Sequence, residues 1–122
     1  MPIAYLDMPL HAWVLRHARL VVSRAGANTI NELIVFGVVA ILIPLPWSGA
    51  GEQDQNALPM ELSGSGRVLN QSVLSPASLL GEIAKVNNKR IEMSKYAKIL
   101  SKTIPVDGVC RMVEDIHHLL SP

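Results

Sequence analysis

With 122 residues the chain holds one domain at most, and 49% hydrophobic against 17% charged residues excludes a disordered segment. A net charge of +1 and 4% aromatic residues provide neither the basic footprint nor the stacking surfaces that nucleic-acid binding needs, so no nucleic-acid partner is expected. A single cysteine, Cys110, excludes an intrachain disulfide framework.

In chain order, Ile3 to Leu6 is a short apolar run that reads as a strand. Asp7 is a helix cap with Pro9 in the first turn, opening a helix through Trp13 and Leu15 to about His17. Leu20-Val21-Val22 reads as a buried parallel strand, followed by a small-residue turn and a helix from Thr29 to Phe36 that stops at Gly37. Val38 to Ile43 is the clearest strand, closed by Pro44-Leu45-Pro46. After the loop Trp47 to Gly51 a helix carries Gln53, Asn56, Ala57 and Met60 to Gly64, with Pro59 implying a kink or a late start. Arg67 to Asn70 reads as another strand. Ser75-Pro76 opens a helix Ala77 to Val86, followed by helices Lys89 to Ser101 and Val109 to Leu120. Strand alternating with helix predicts an α/β fold with a parallel sheet.

Met1 to Ala4 lack the basic and apolar regions of a signal peptide, and Leu33 to Pro46 is too short to span a bilayer. A soluble cytoplasmic protein is the expectation.

Ligands of doubly wound sheets bind outside the carboxyl ends of the strands, where Ser23 to Glu32 falls. Gly26, between Ala25 and Ala27, lets backbone N–H groups approach a diphosphate, and the helix start adds a positive dipole end. Asn28 and Thr29 supply short polar groups, and Glu32 lies one turn in, within reach of a ribose diol. Thr29-x-x-Glu32 equally fits a capping box that binds nothing, and Gly26 a plain turn glycine. Both readings stand on spacing alone. Glu52-Gln53-Asp54-Gln55-Asn56 follows the strongest strand and brings carboxylates and primary amides, the groups that recognise sugar hydroxyls, to the same edge. Alone it reads as a solvated first turn; with the first loop the binding reading gains.

Leu20-Val21-Val22-Ser23-Arg24-Ala25-Gly26-Ala27-Asn28-Thr29-Ile30-Asn31-Glu32-Leu33, then Ala40 to Pro46, then Gln53-x-x-Asn56-Ala57, resemble in order and spacing the C-terminal, donor-binding domain of the MurG family. These are GT-B glycosyltransferases of family 28 that move GlcNAc from UDP-GlcNAc to lipid I. The resemblance covers nearly the whole chain. It implies a partial Rossmann-like parallel sheet with flanking helices, an inverting displacement with UDP leaving, UDP-GlcNAc as substrate, and no cofactor or dedicated metal site. By position, Gly26, Ala27, Asn28 and Thr29 would border the diphosphate and sugar, and Glu32 the ribose. Gln53 would contact the GlcNAc hydroxyls, with Glu52 and Asn56 beside it.

Three departures are visible. The family's acceptor domain and the opening strands of its donor domain have no counterpart in these residues, so no catalytic residue is nominated and the chain is expected to be inactive alone. The stretch Met8 to Ala18 is a few residues longer than usual, and Arg19 stands where the family has aspartate. Glu52 stands where the family usually has glutamine or histidine. The implied partners are a UDP-sugar, an N-terminal domain or partner chain, a membrane surface through the lipid-linked acceptor, and copies of the chain itself through an open sheet edge. The alternative function is a non-catalytic nucleotide-sugar-binding or assembly subunit needing a partner chain. The UDP-GlcNAc 2-epimerases share the architecture but have glycine and Glu-Arg-Pro-Glu signatures not seen here.

Other residues carry less. The four histidines and Cys110 show no metal-ligand spacing, so no metal is expected. Cys110 reads as a buried structural thiol and His117-His118 as dipole partners at a helix C-terminus. Lys85, Lys89, Arg90, Lys95, Lys98 and Lys102 form a basic helical surface, read first as a solvated face and second as a contact for anionic lipid.

Overall fold

A computed structural model describes residues 2–105 and 107–120, except the side chains of 109, 110, 119 and 120. The expectation for Cys110 therefore lies outside the described side chains.

Three short strands, β1 (Val21–Ser23), β2 (Ala40–Leu42) and β3 (Gly66–Val68), form one parallel sheet in the order β1-β2-β3. They are linked by α2 (Ala27–Val35) and α3 (Glu52–Ser63), preceded by α1 (Met8–His17) and followed by α4 (Pro76–Ser101) and α5 (Gly108–Leu120). The fold class expected from the sequence is present.

The apolar run around β2 is unbroken because both of its faces are covered. Ala40 and Leu42 point into a core with Ile30, Leu33, Ala57 and Met60 from α2 and α3. Val39 and Ile41 point the other way, into a core with Val86, Met93 and Ala97 of α4. The period of two along a strand thus places helices on opposite faces.

Helix ends follow local chemistry. Asp7 Oδ1 accepts from the Leu10 N–H at 2.9 Å and caps α1, as expected. Gly37 (φ +65°) ends α2, with the Val38 N–H donating to Leu33 O at 2.9 Å. Ser75 and Ser78 exchange side chain to backbone bonds of 3.0 and 2.8 Å, a capping box that opens α4 ahead of Pro76.

Four expectations are corrected. Ile3 to Leu6 is not a strand: Ile3 and Tyr5 are exposed, and no strand of the described sheet lies beside them. The helix expected from Thr29 starts at Ala27. The two helices expected between Ala77 and Ser101 are one, because no glycine or proline interrupts Asn87-Asn88 and both halves bury residues, Val86 and Met93, on the same face. The strand expected at Arg67 to Asn70 begins one residue earlier and ends at Val68.

Glu82 is the one buried charged residue among those described, and it is held by Arg67 Nε at 2.9 Å and Lys85 Nζ at 3.3 Å. The Arg67 hydrogen bond, opposed by burial and helped by Lys85, holds its carboxyl below the ordinary value of 4.5. A depressed folded-state value means stability that is present above the unfolded value and lost as pH falls through the folded one. Glu82→Gln is expected to lower stability at pH 7 by about 1–2 kcal/mol, since both cations stay solvated. Urea midpoints of parent and variant should converge as pH falls through the depressed folded-state value.

Candidate donor-binding edge

The carboxyl ends of all three strands open onto one edge, and loops 24–26, 43–51 and 69–75 meet there. Gln53, the second residue of α3, ties two of them together. Its Oε1 accepts from the Ala25 N–H at 3.1 Å and from the Leu45 N–H at 3.0 Å. One turn on, Asn56 Nδ2 donates to Ala25 O at 3.1 Å. Ala25 is fully buried, so both polar groups of its peptide units are satisfied by the amides of α3. Arg24 tethers the third loop, its Nη1 donating to Ile43 O at 3.2 Å and to Gln71 Oε1. Two left-handed residues, Ala50 (φ +51°) and Gly51 (φ +75°), turn the chain sharply enough to start α3 beneath the loop.

At the start of α2 the two structural explanations for the motif fall away. Thr29 is inside the helix and Gly26 is the N-cap, with no side chain bonded to the first-turn N–H groups, so the capping box does not form. Nor is Gly26 a turn glycine: its φ of −64° and ψ of 146° suit any residue. A Cβ at this position would meet nothing nearer than Thr29 Oγ1 at 4.0 Å. The space over Gly26 is open.

The eight residues singled out in the sequence lie along this edge without lining one common cavity. Ala27 and Asn56 border an open cleft of about 470 Å³ between α2 and α3, with Asn31, Gln55 and Thr103. Glu32 borders a separate cleft of about 320 Å³ with Met8, His11 and Phe36, and its carboxylate lies 3.8 Å from His11 Nε2. Asn28 is exposed and Thr29 half-buried. Glu52 is exposed in the first turn of α3, where the dipole favours a carboxylate. The sequence reading missed the tether made by Arg24, although a lone cation in a small-residue loop was its signal. It also could not see that the Gln53 side-chain carbonyl oxygen is used inside the protein. Among the described residues no group of three metal-ligating side chains gathers.

The profile of the glycosyltransferase family 28 C-terminal domain matches residues 3–105. A UDP-N-acetylglucosamine--N-acetylmuramyl-(pentapeptide) pyrophosphoryl-undecaprenol N-acetylglucosamine transferase of Syntrophotalea carbinolica is 41% identical over 102 residues, covering 81% of this chain and 28% of its own length. The enzyme of the same name from Acetivibrio thermocellus is 39% identical over the same shares. The crystal structure of Acinetobacter baumannii MurG superposes with a TM-score of 0.81 at 22% identity, covering 95% of this chain and 33% of that one, which shows the fold. The chain thus spans about a third or less of the length of these relatives. It belongs to the glycosyltransferase family 28 C-terminal domain family.

Proposed function

We propose that this chain is the donor-binding part of a glycosyltransferase that moves GlcNAc from UDP-GlcNAc to a lipid-linked acceptor in peptidoglycan synthesis. The observation that carries the reading is the uncapped start of α2 beneath an open, glycine-roofed space. The fold asks for no glycine at position 26, whereas a diphosphate lying on the backbone N–H groups does. In this reading Gly26, Ala27, Asn28 and Thr29 hold the diphosphate, Glu32 the ribose, and Glu52, the Gln53 NH₂ and Asn56 the sugar. The donor is the substrate, and no cofactor takes part.

Activity needs further protein. On the β1 edge the middle residue, Val22, is 41% exposed. Val21 N–H and Ser23 O bond toward β2, so in a parallel ladder the polar groups of Val22 face the open side. An N-terminal domain or partner chain that adds a strand there would complete the sheet, and a second copy could compete for the same edge. No described helix is long and apolar enough to cross a membrane. The proposed location is peripheral, on the cytoplasmic face of the plasma membrane, where a lipid-linked acceptor is found.

Co-expression with a chain supplying the N-terminal part of a relative should yield transfer of labelled GlcNAc to a lipid-linked acceptor, with neither chain active alone. Donor binding without transfer in any such pairing would favour the non-catalytic subunit instead.

A further inference from the structure

The cleft between α1 and α2 brings together two polar side chains from different helices. His11 comes from α1 and Glu32 from α2, and with Met8, Ala12 and Phe36 they line about 320 Å³. The two helices are held to one another. Leu15 of α1 is buried with Ile30, Leu33 and Ile34 of α2, and the Arg16 guanidinium lies 5.6 Å from the centre of the Phe36 ring. Packing therefore sets where His11 stands relative to Glu32.

His11 Nε2 lies 3.8 Å from Glu32 Oε2, beyond hydrogen-bonding distance, and the side chains are 43% and 46% exposed. A half-exposed pair at this separation contributes little to the fold. Neither side chain has another polar partner among the described residues. Both groups are thus open to a ligand, and the rest of the lining is apolar.

Their chemistry is complementary. A carboxylate only accepts hydrogen bonds, and a hydroxyl that donates to it still has lone pairs to satisfy. An imidazole N–H supplies the missing donor. A hydroxyl oxygen about 2.8 Å from each atom fits between groups at this spacing. A ribose diol offers two such hydroxyls on a ring whose carbon atoms suit the apolar lining.

We propose that His11 is a second ribose-binding residue: its Nε2–H donates to a hydroxyl that in turn donates to Glu32. The diol is then held from two helices at once. The proposal rests on the ribose reading of Glu32 given above and adds a residue to it.

The test is titration of the chain with UDP and with 2′,3′-dideoxyuridine diphosphate, which lacks both hydroxyls, followed by amide shifts at Gly26 to Glu32. The parent should prefer UDP. His11→Ala should weaken UDP about tenfold, the worth of one hydrogen bond, and leave the dideoxy analogue unchanged. His11→Gln keeps an N–H donor at similar reach and should retain most of the preference. Thermal melting should be the same in all three chains, since His11 is half-exposed. An equal loss for both nucleotides in His11→Ala, or no loss for either, would overturn the proposal and leave the Glu32 reading standing. No response of the parent to UDP would overturn both.

Discussion

Gly26→Asp is expected to leave the chain as stable as the parent, or slightly more so, while abolishing its response to UDP-GlcNAc. Gly26 is the N-cap of α2 and has an ordinary extended backbone, and an added Cβ would come no closer than 4.0 Å to Thr29 Oγ1. Aspartate is at least as good an N-cap as glycine, its charge suits the helix dipole, and it removes freedom from the unfolded chain. If the loop served the fold alone, the substitution would be neutral or beneficial in every assay. A diphosphate on the same N–H groups meets a carboxylate instead. Like charges about 4 Å apart repel by several kcal/mol even at an effective dielectric of about 20, so affinity should drop at least about a hundredfold. Melting temperature and donor titration, measured on the same preparation, separate the two roles.

Gln53→Ala should damage both. Its Oε1 is the acceptor for the Ala25 and Leu45 N–H groups, and Ala25 is fully buried. Stranding two backbone donors costs about 2–4 kcal/mol, which for a chain of this size lowers Tm by roughly 10 °C. The donor loop loses its tie to α3, and donor binding goes with it. Gln53→Glu distinguishes clamp from ligand contact: a carboxylate still accepts from both N–H groups, so stability should return toward the parent. It has no NH₂ to donate and adds negative charge beside the proposed sugar site, so binding should stay weak. Recovery of both properties in Gln53→Glu would reduce Gln53 to a clamp alone.

Much of the fold was legible because its elements announce themselves locally. The fully buried β2 appears as an unbroken apolar run, and Asp7-Met8-Pro9, Gly37 and Ser75-Pro76 mark helix ends that the structure retains. Ile3 to Leu6 misled because a short apolar run suits a strand only where a sheet is present to receive it. The break expected at Asn87-Asn88 failed because packing on both sides outweighs modest propensity. At the site, residue types and their edge were readable, since both follow from strand order. Pairing was not. That Gln53 and Asn56 would close on Ala25, 28 and 31 residues earlier in sequence, depends on how α3 lies beneath the loop. The capping box at Thr29 failed for a related reason, because its test is where the helix begins, and two residues decided it.

Whether the α2 start is a nucleotide-sugar site is decided by titrating the isotopically labelled chain with UDP-GlcNAc, and with UDP-glucose beside it. Saturable amide shifts are expected at Gly26 to Glu32, spreading to Gln53 and Asn56 through their bonds to Ala25. Unmoved Gly26 to Glu32 amides at saturating nucleotide sugar, in a chain that is folded, would contradict it.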